Sequence, residues 1–203
     1  MPLVSIIYWI IAGYISGSLA WGYWIAKYIY RVDLRTKGSG NIGATNVFRV
    51  LGPAPGIFTF ILDVLKGALP VMFFNHTYGK EANLFLLIAI GFASIIGSKF
   101  SIFLKGKGGK AVNCSLGVIL AIVPREALIS LIIWVIIFLT TGYVSLASIS
   151  AAACLPLLLW FLKENIVIVI LGILIFLVII SAHRENIKRL VHGKENRFKI
   201  WKK

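Results

Sequence analysis

Two glycine-rich basic stretches hold the residue types in this chain best suited to gripping phosphate. The first reads Lys37-Gly-Ser-Gly-Asn-Ile-Gly-Ala-Thr-Asn-Val-Phe-Arg49, with glycines at 38, 40 and 43 set among the neutral donors Ser39, Asn41, Thr45 and Asn46. Glycine lets backbone N–H groups come close to an anion, and successive N–H groups can form a concave nest. A helix starting near Gly43 or Ala44 would add the partial positive charge of its N-terminus, and Arg49 can hold a phosphate through two parallel hydrogen bonds. The spacing Gly38-x-Gly40-x-x-Gly43 also matches the dinucleotide fingerprint, but no strand precedes it and no βαβ unit surrounds it. A plain flexible loop is the blander alternative. Four small polar donors interleaved with the glycines favour a phosphate cradle instead.

The second stretch is Lys105-Gly-Lys-Gly-Gly-Lys110. It is no Walker A motif, because Gly109-Lys110 is followed by Ala111 and the upstream glycine is misplaced. Lys107, Gly108, Gly109 and Lys110 suit a second anion site, with Lys110 as a point charge at the mouth of an apolar segment. A simple stop-transfer signal would use the same lysines. Asp63 and Lys66 lie three residues apart inside an apolar run, so they serve either as a structural ion pair or as a substrate contact. His183 and Asn186 share one helical face near the end of the last apolar run, whereas His76 and His192 read as bystanders.

Several chemistries lack their parts. No Cys/His cluster offers a metal site, and no cofactor is expected. No His-x4-Asp occurs, the pairing with which many coenzyme-A-dependent glycerolipid acyltransferases activate a hydroxyl. The acids on the side of the basic loops are Asp33, Glu185 and Glu195, a poor supply for a carboxylate-assisted triad. Cys114 and Cys154 sit in apolar stretches and read as reduced core thiols.

The elements that must carry these loops are set by composition. Of 203 residues 59% are hydrophobic, and the mean hydropathy is +0.92, so the solvent is lipid. A formal charge of +14 in so apolar a chain points to a lipid surface or a phosphorylated substrate, not nucleic acid. Apolar runs at about 3–25, 55–75, 82–97, 111–123, 127–141, 145–162 and 165–182 predict about seven transmembrane helices in one polytopic membrane domain, 1–203. Segments 26–54 and 98–110 and the tail after 182 are strongly basic, whereas the loops at Lys80/Glu81, Arg125/Glu126 and Lys163/Glu164 pair one base with one acid. The positive-inside rule then places the N-terminus outside and the C-terminus in the cytoplasm, with the chemistry on cytoplasmic loops. Ile187, Leu190 and Val191 give the tail, 183–203, an amphipathic helix suited to an anionic leaflet. No basic leader precedes the first run, so a cleavable signal peptide is not expected.

Read in order, Gly-Ser-Gly-Asn-x-Gly-Ala-Thr-Asn-Val-x-Arg (38–49), Asp-x-x-Lys-Gly (63–67), the lysine–glycine run 107–110, Val-Ser-Leu-Ala-Ser-Ile (144–149) and His-Arg-x-Asn-Ile-x-Arg-Leu (183–190) resemble the PlsY family. The resemblance implies a seven-span enzyme of the bacterial inner membrane that moves an acyl group from acyl phosphate to glycerol-3-phosphate. It implies that Ser39, Arg49 and Lys110 hold substrate phosphate and that His183 and Asn186 contact glycerol-3-phosphate. Asn41, Thr45 and Asn46 would line the acyl-phosphate site, and the enzyme that makes acyl phosphate is an implied partner.

The sequence departs from that pattern at Gly97-Ser98, where Gly-His is usual. It departs again at Lys110-Ala111-Val112-Asn113-Cys114, where Lys-Gly-Val-Ala-Thr is usual. Ser98 removes a titratable group and Ala111 narrows the room beside Lys110, changes that bear on donor specificity and rate. A diverged paralogue with another acceptor is one alternative. A transporter of a phosphorylated solute is another, although it would be expected to carry charge in more than one span.

Overall fold

The computed structural model describes residues 1–198, and these form helices and turns with no β-strand among them. Helices occupy every predicted apolar run: α1 Leu3–Ser18, α2 Trp21–Trp24, α3 Ala44–Leu51, α4 Pro53–Tyr78, α5 Leu84–Lys99, α6 Val112–Ile122, α7 Pro124–Thr141, α8 Val144–Phe161, α9 Ile166–Ala182 and α10 Arg184–Val191. The run expected at 127–141 starts earlier, because Pro124 supplies a first-turn residue with no N–H to satisfy. Lys199, Lys202 and Lys203, counted in the basic tail, lie outside the described residues.

Four helical stretches are individually long and apolar enough to cross a membrane: α4, α7, α8, and α5 with the turn that follows it. Two bent pairs bring the number to six, α1 with Trp21–Ile29 and α9 with α10, while α6 has only 11 residues. An integral membrane protein accounts for this inventory. The chain divides into a unit covering Met1–Ile122 and a second beginning at Val123.

Within the first unit, α1 packs along α5, and α4 packs against α6 and α3. The predicted first run, 3–25, is not one helix. It breaks after Ser18, where Leu19 is extended (φ −59°, ψ 119°), and a π-helical turn, Ile25–Ile29, continues α2. Ser16-Gly17-Ser18 makes the break cheap, since Gly/Ser positions are common sites of kinks. The freed carbonyls have partners: Ser101 Oγ donates to Ser18 O at 2.5 Å and Lys66 Nζ to Leu19 O at 2.9 Å. Lys66 also pairs with Asp63 at 2.7 Å, both side chains being nearly buried. Of the two readings open for that pair, the geometry fits the structural one: it is a neutralised cap for the broken first helix.

In the second unit α8 packs between α7 and α9, and α10 turns back toward α8. Trp134 Nε1 donates to Ser148 Oγ at 3.0 Å, tying α7 to α8.

Candidate active site

The first loop is built around one buried amide. Asn46, in the first turn of α3, is 1% exposed. Its Oδ1 accepts the Ser39 N–H at 2.8 Å, and its Nδ2 donates to the carbonyls of Asn41, Lys37 and Leu34 at 2.8, 3.0 and 3.3 Å. One side chain thus holds residues 34–41 in an arc around the start of α3. This departs from the expectation that Asn46 lines the site, because its polar atoms are committed to shaping it.

Gly38 has φ +60°, and a Cβ there would run into Asn46 Oδ1, so the arc requires glycine at that point. Gly40 turns the chain through an N–H bond to Lys37 O at 3.0 Å. Asn41 Oδ1 accepts the Gly43 N–H at 2.8 Å, an Asx turn that delivers the chain into α3.

Around this arc lie the residues expected from the sequence to hold phosphate. Ser39 is exposed, and its hydroxyl bonds to no side chain or backbone group among the described residues. Thr45 sits half-buried in the first turn of α3, whose N-terminus opens at Gly43, and Arg49 lies one turn further along the same helix. Lys37 is exposed at the mouth. The loop's one acid is neutralised locally: Arg35 holds the Asp33 carboxyl down to about 2 through a 2.6 Å contact and further hydrogen bonds. Asp33 in turn raises the Arg35 guanidinium. Arg35, one of the bases of segment 26–54, is thus paired with that segment's one acid.

The second glycine loop folds over itself. Gly109 N–H donates to Ser98 O at 2.9 Å and Gly108 N–H to Lys99 O at 3.0 Å. A Cβ on Gly108 would collide with those carbonyls, which fixes glycine there. Gly109 lies beside the first loop, a Cβ built on it falling 3.9 Å from Asn41 Oδ1. The structure therefore brings Asn41 and the Lys107–Lys110 run together within the first unit. Lys105 and Lys107 are exposed, and Lys110 is half-buried. Ala111, the residue expected to crowd Lys110, has φ +61° and is almost fully buried. That is the left-handed region glycine adopts freely, and an L-residue there is strained by about 1–2 kcal/mol.

In the second unit, His183 occupies the bend of 64° between α9 and α10 and is buried. Its Nδ1 lies 2.8 Å from Ile179 O. A carbonyl only accepts, so Nδ1 carries a proton and donates it to that bond. Asn186, also buried, donates from Nδ2 to Glu195 Oε1 at 2.6 Å.

Glu195 is the residue that sequence reading passed over. It also accepts from Ser145 Oγ at 2.9 Å and from Arg189 Nε at 2.7 Å. Burial pushes its carboxyl up, and hydrogen bonds from Asn186, Arg189 and Ser145 outweigh that, leaving its pKa below the ordinary value. It joins the 144–149 motif to the 183–190 motif. The only signal in the sequence is that Glu195 is one of two acids, with Glu185, in a strongly basic tail. Arg197 Nε donates to Thr141 O at 3.0 Å and Phe198 N–H to Gly142 O at 2.9 Å, so the tail runs back along the 141–145 turn. Of the predicted apolar stripe, Ile187 and Leu190 are half-buried, whereas Val191 is exposed.

Residues 7–193 match the glycerol-3-phosphate acyltransferase family. Similar proteins of that name occur in Endomicrobium trichonymphae, 44% identical over 99% of each chain, and in Aquifex aeolicus, 43% identical over 93% of this chain and 97% of its own. Among solved structures, the glycerol 3-phosphate form of PlsY (YgiH), an integral membrane glycerol 3-phosphate acyltransferase, superposes with a TM-score of 0.90. It is 42% identical, with 96% of each chain covered. The lysophosphatidic acid form of PlsY gives a TM-score of 0.87 at 40% identity, covering 96% of this chain and 95% of that one.

Proposed function

The chain belongs to the glycerol-3-phosphate acyltransferase family, and on that premise we propose that it transfers a fatty acyl group from acyl phosphate to the 1-hydroxyl of glycerol-3-phosphate, yielding lysophosphatidate and inorganic phosphate. The observation that carries the reading is the pairing of two cationic glycine loops at Asn41 and Gly109, where the loops' one carboxylate, Asp33, is held by Arg35. Two phosphorylated substrates repel each other, and such a surface offsets that repulsion without a competing anion.

In the proposed reaction the acceptor's hydroxyl oxygen bonds to the acyl carbonyl carbon, and the bond from that carbon to the phosphate oxygen breaks. Phosphate leaves with the electron pair. The hydroxyl proton passes to a phosphate oxygen, or through Nε2 of His183. Ser39, Arg49 and Lys110 hold phosphate, and the Ser39 hydroxyl is available for that task. Gly38, Gly40, Asn41, Gly43, Thr45, Lys107, Gly108 and Gly109 form the walls, while Asn46 fixes their shape. His183 and Asn186 are assigned to the acceptor. Most of the rate then comes from positioning and charge neutralisation.

The chain is further proposed to be one polytopic domain of seven spans in the bacterial inner membrane, with α6 as the short span. The N-terminus lies outside, the basic loops face the cytoplasm, and the enzyme that makes acyl phosphate supplies the donor. The decisive assay offers the purified protein glycerol-3-phosphate with either palmitoyl phosphate or palmitoyl-coenzyme A. Lysophosphatidate from the acyl phosphate alone, with equimolar phosphate release, is expected. Product from neither donor would overturn the proposal.

A further inference from the structure

The apolar character of α5 does not stop where the helix does. Leu84–Leu104 forms a 21-residue apolar stretch whose last part is not α-helix but a 3-10 turn, Ile102–Leu104. At its tip Ile102 is 55% exposed and Phe103 48% exposed. The base is pinned: Ser101 is buried with its Oγ on Ser18 O, and Tyr14 Oη donates to Phe100 O at 2.9 Å.

The turn also satisfies most of its own backbone. Leu104 and Gly106 donate to Ser101 O at 3.2 and 2.8 Å, Lys105 to Ile102 O at 3.4 Å, and Lys107 to Leu104 O at 3.0 Å. A turn that meets its own polar needs can enter an apolar medium at little cost, which an ordinary loop cannot do. The Phe103 ring meets Trp24 edge-on with centroids 5.6 Å apart, and Trp24 leads into the exposed Tyr28, Ile29 and Tyr30. Basic residues rim this apolar centre: Lys99, whose ammonium lies 5.2 Å from the Phe100 ring centroid, and the exposed Lys105 and Lys107.

We infer that the turn 101–107 is an interfacial wedge, seated in an anionic phospholipid leaflet with Ile102 and Phe103 below the headgroups and Lys105 and Lys107 at phosphate level. The occupant follows from charge and shape together. Apolar tips beneath a cationic rim match the layered chemistry of a leaflet, with hydrocarbon below and phosphate above. Lysine stems can cover apolar surface while their ammonium groups reach up to the headgroups. The wedge also gives an amphiphilic donor a sideways route. Its hydrocarbon chain stays beside Phe103 while its phosphate meets Lys107–Lys110. That second part rests on the acyl-phosphate reading, whereas the seating in lipid does not.

The test uses full-length protein in vesicles of phosphatidylglycerol and phosphatidylethanolamine, with Cys154→Ala removing the less buried native thiol. A fluorophore is attached to Ile102→Cys or, separately, to Lys107→Cys. Quenching at position 102 by chain-borne lipid nitroxides, with protection from aqueous iodide, is expected. Equal access of iodide to both positions overturns the wedge whatever the activity.

In kinetics, Phe103→Asp should raise KM for palmitoyl phosphate about tenfold, the scale of one large apolar side chain's lost burial. Its KM for glycerol-3-phosphate and its kcat with water-soluble butyryl phosphate should stay unchanged. Equal losses with both donors would overturn the sideways route. If no acyl phosphate is used at all, the functional reading fails, while the quenching result still decides whether the turn sits in lipid.

Discussion

Asn46→Ala offers the sharpest challenge to the view that one buried amide shapes the first loop. The substitution strips a partner from the Ser39 N–H and from the carbonyls of Leu34, Lys37 and Asn41. Each buried polar group left unsatisfied costs about 1–3 kcal/mol. The carbonyls at the rim can turn to water, so a net loss of about 3 kcal/mol from the arc is a reasonable working figure. At about 1.4 kcal/mol per decade, the equilibrium between the competent and relaxed loop shifts roughly 100-fold, and kcat/KM falls by up to that factor.

Asn46→Asp separates this account from a simple loss of bulk. It keeps the acceptor for Ser39 but points a second oxygen at three carbonyl oxygens. It should be worse than Ala at neutral pH. Activity should recover on acidification, because burial among acceptors raises the carboxyl's pKa and the protonated form can donate again. The assay is lysophosphatidate formation across pH, with helical content followed by circular dichroism. The reasoning fails if Asn46→Ala stays within threefold of the parent, or if Asn46→Asp outperforms it at pH 7.

Three further outcomes are expected. Ala111→Gly should stabilise the protein by about 0.5–1 kcal/mol, the relief of a left-handed alanine less the greater entropy of an unfolded glycine, and so raise the thermal midpoint in detergent. Lys66→Met should cost about 3–5 kcal/mol by stranding a buried Asp63, and adding Asp63→Asn should restore much of the lost thermal midpoint. Glu195 has a lowered carboxyl pKa in the fold, so its contribution is complete above the ordinary glutamate value of about 4.3 and is lost as pH falls through the depressed folded value. Glu195→Gln should remove that step from a plot of thermal midpoint against pH.

What the sequence disclosed, and what it hid, divides along one physical line. Hydropathy is a local property, so six of the seven apolar runs each found one helix with errors of a few residues at the ends, while the first run broke after Ser18. The motif around Gly38 was legible because its glycines and small donors are adjacent in the chain. Its internal logic was not, since nothing in the string distinguishes an asparagine that faces a ligand from one that ties the loop to itself. The break after Ser18 was equally hidden. Its partners, Lys66 and Ser101, lie 47 and 83 residues from the atoms they meet, and no periodicity reports such a distance. Glu195 escaped for the same reason, its bond to Ser145 spanning 50 residues. Ala111 was noticed as a bulk change, but the cost that counts is conformational, and only the backbone angle reveals it.

The cap that Lys66 places on Leu19 bears on how the chain is assembled. Ribosomes deliver α1 first, and its loosened end enters the bilayer with a carbonyl that has no partner until α4 arrives, some 47 residues later. That carbonyl cannot settle in hydrocarbon alone. Asp63 travels with Lys66 on the same helix, so α4 enters already neutralised and carries the missing donor with it. The first insertion is thereby provisional and the second makes it permanent. A chain arrested before Lys66 emerges would leave the broken end of α1 without that donor, and one ammonium completes it.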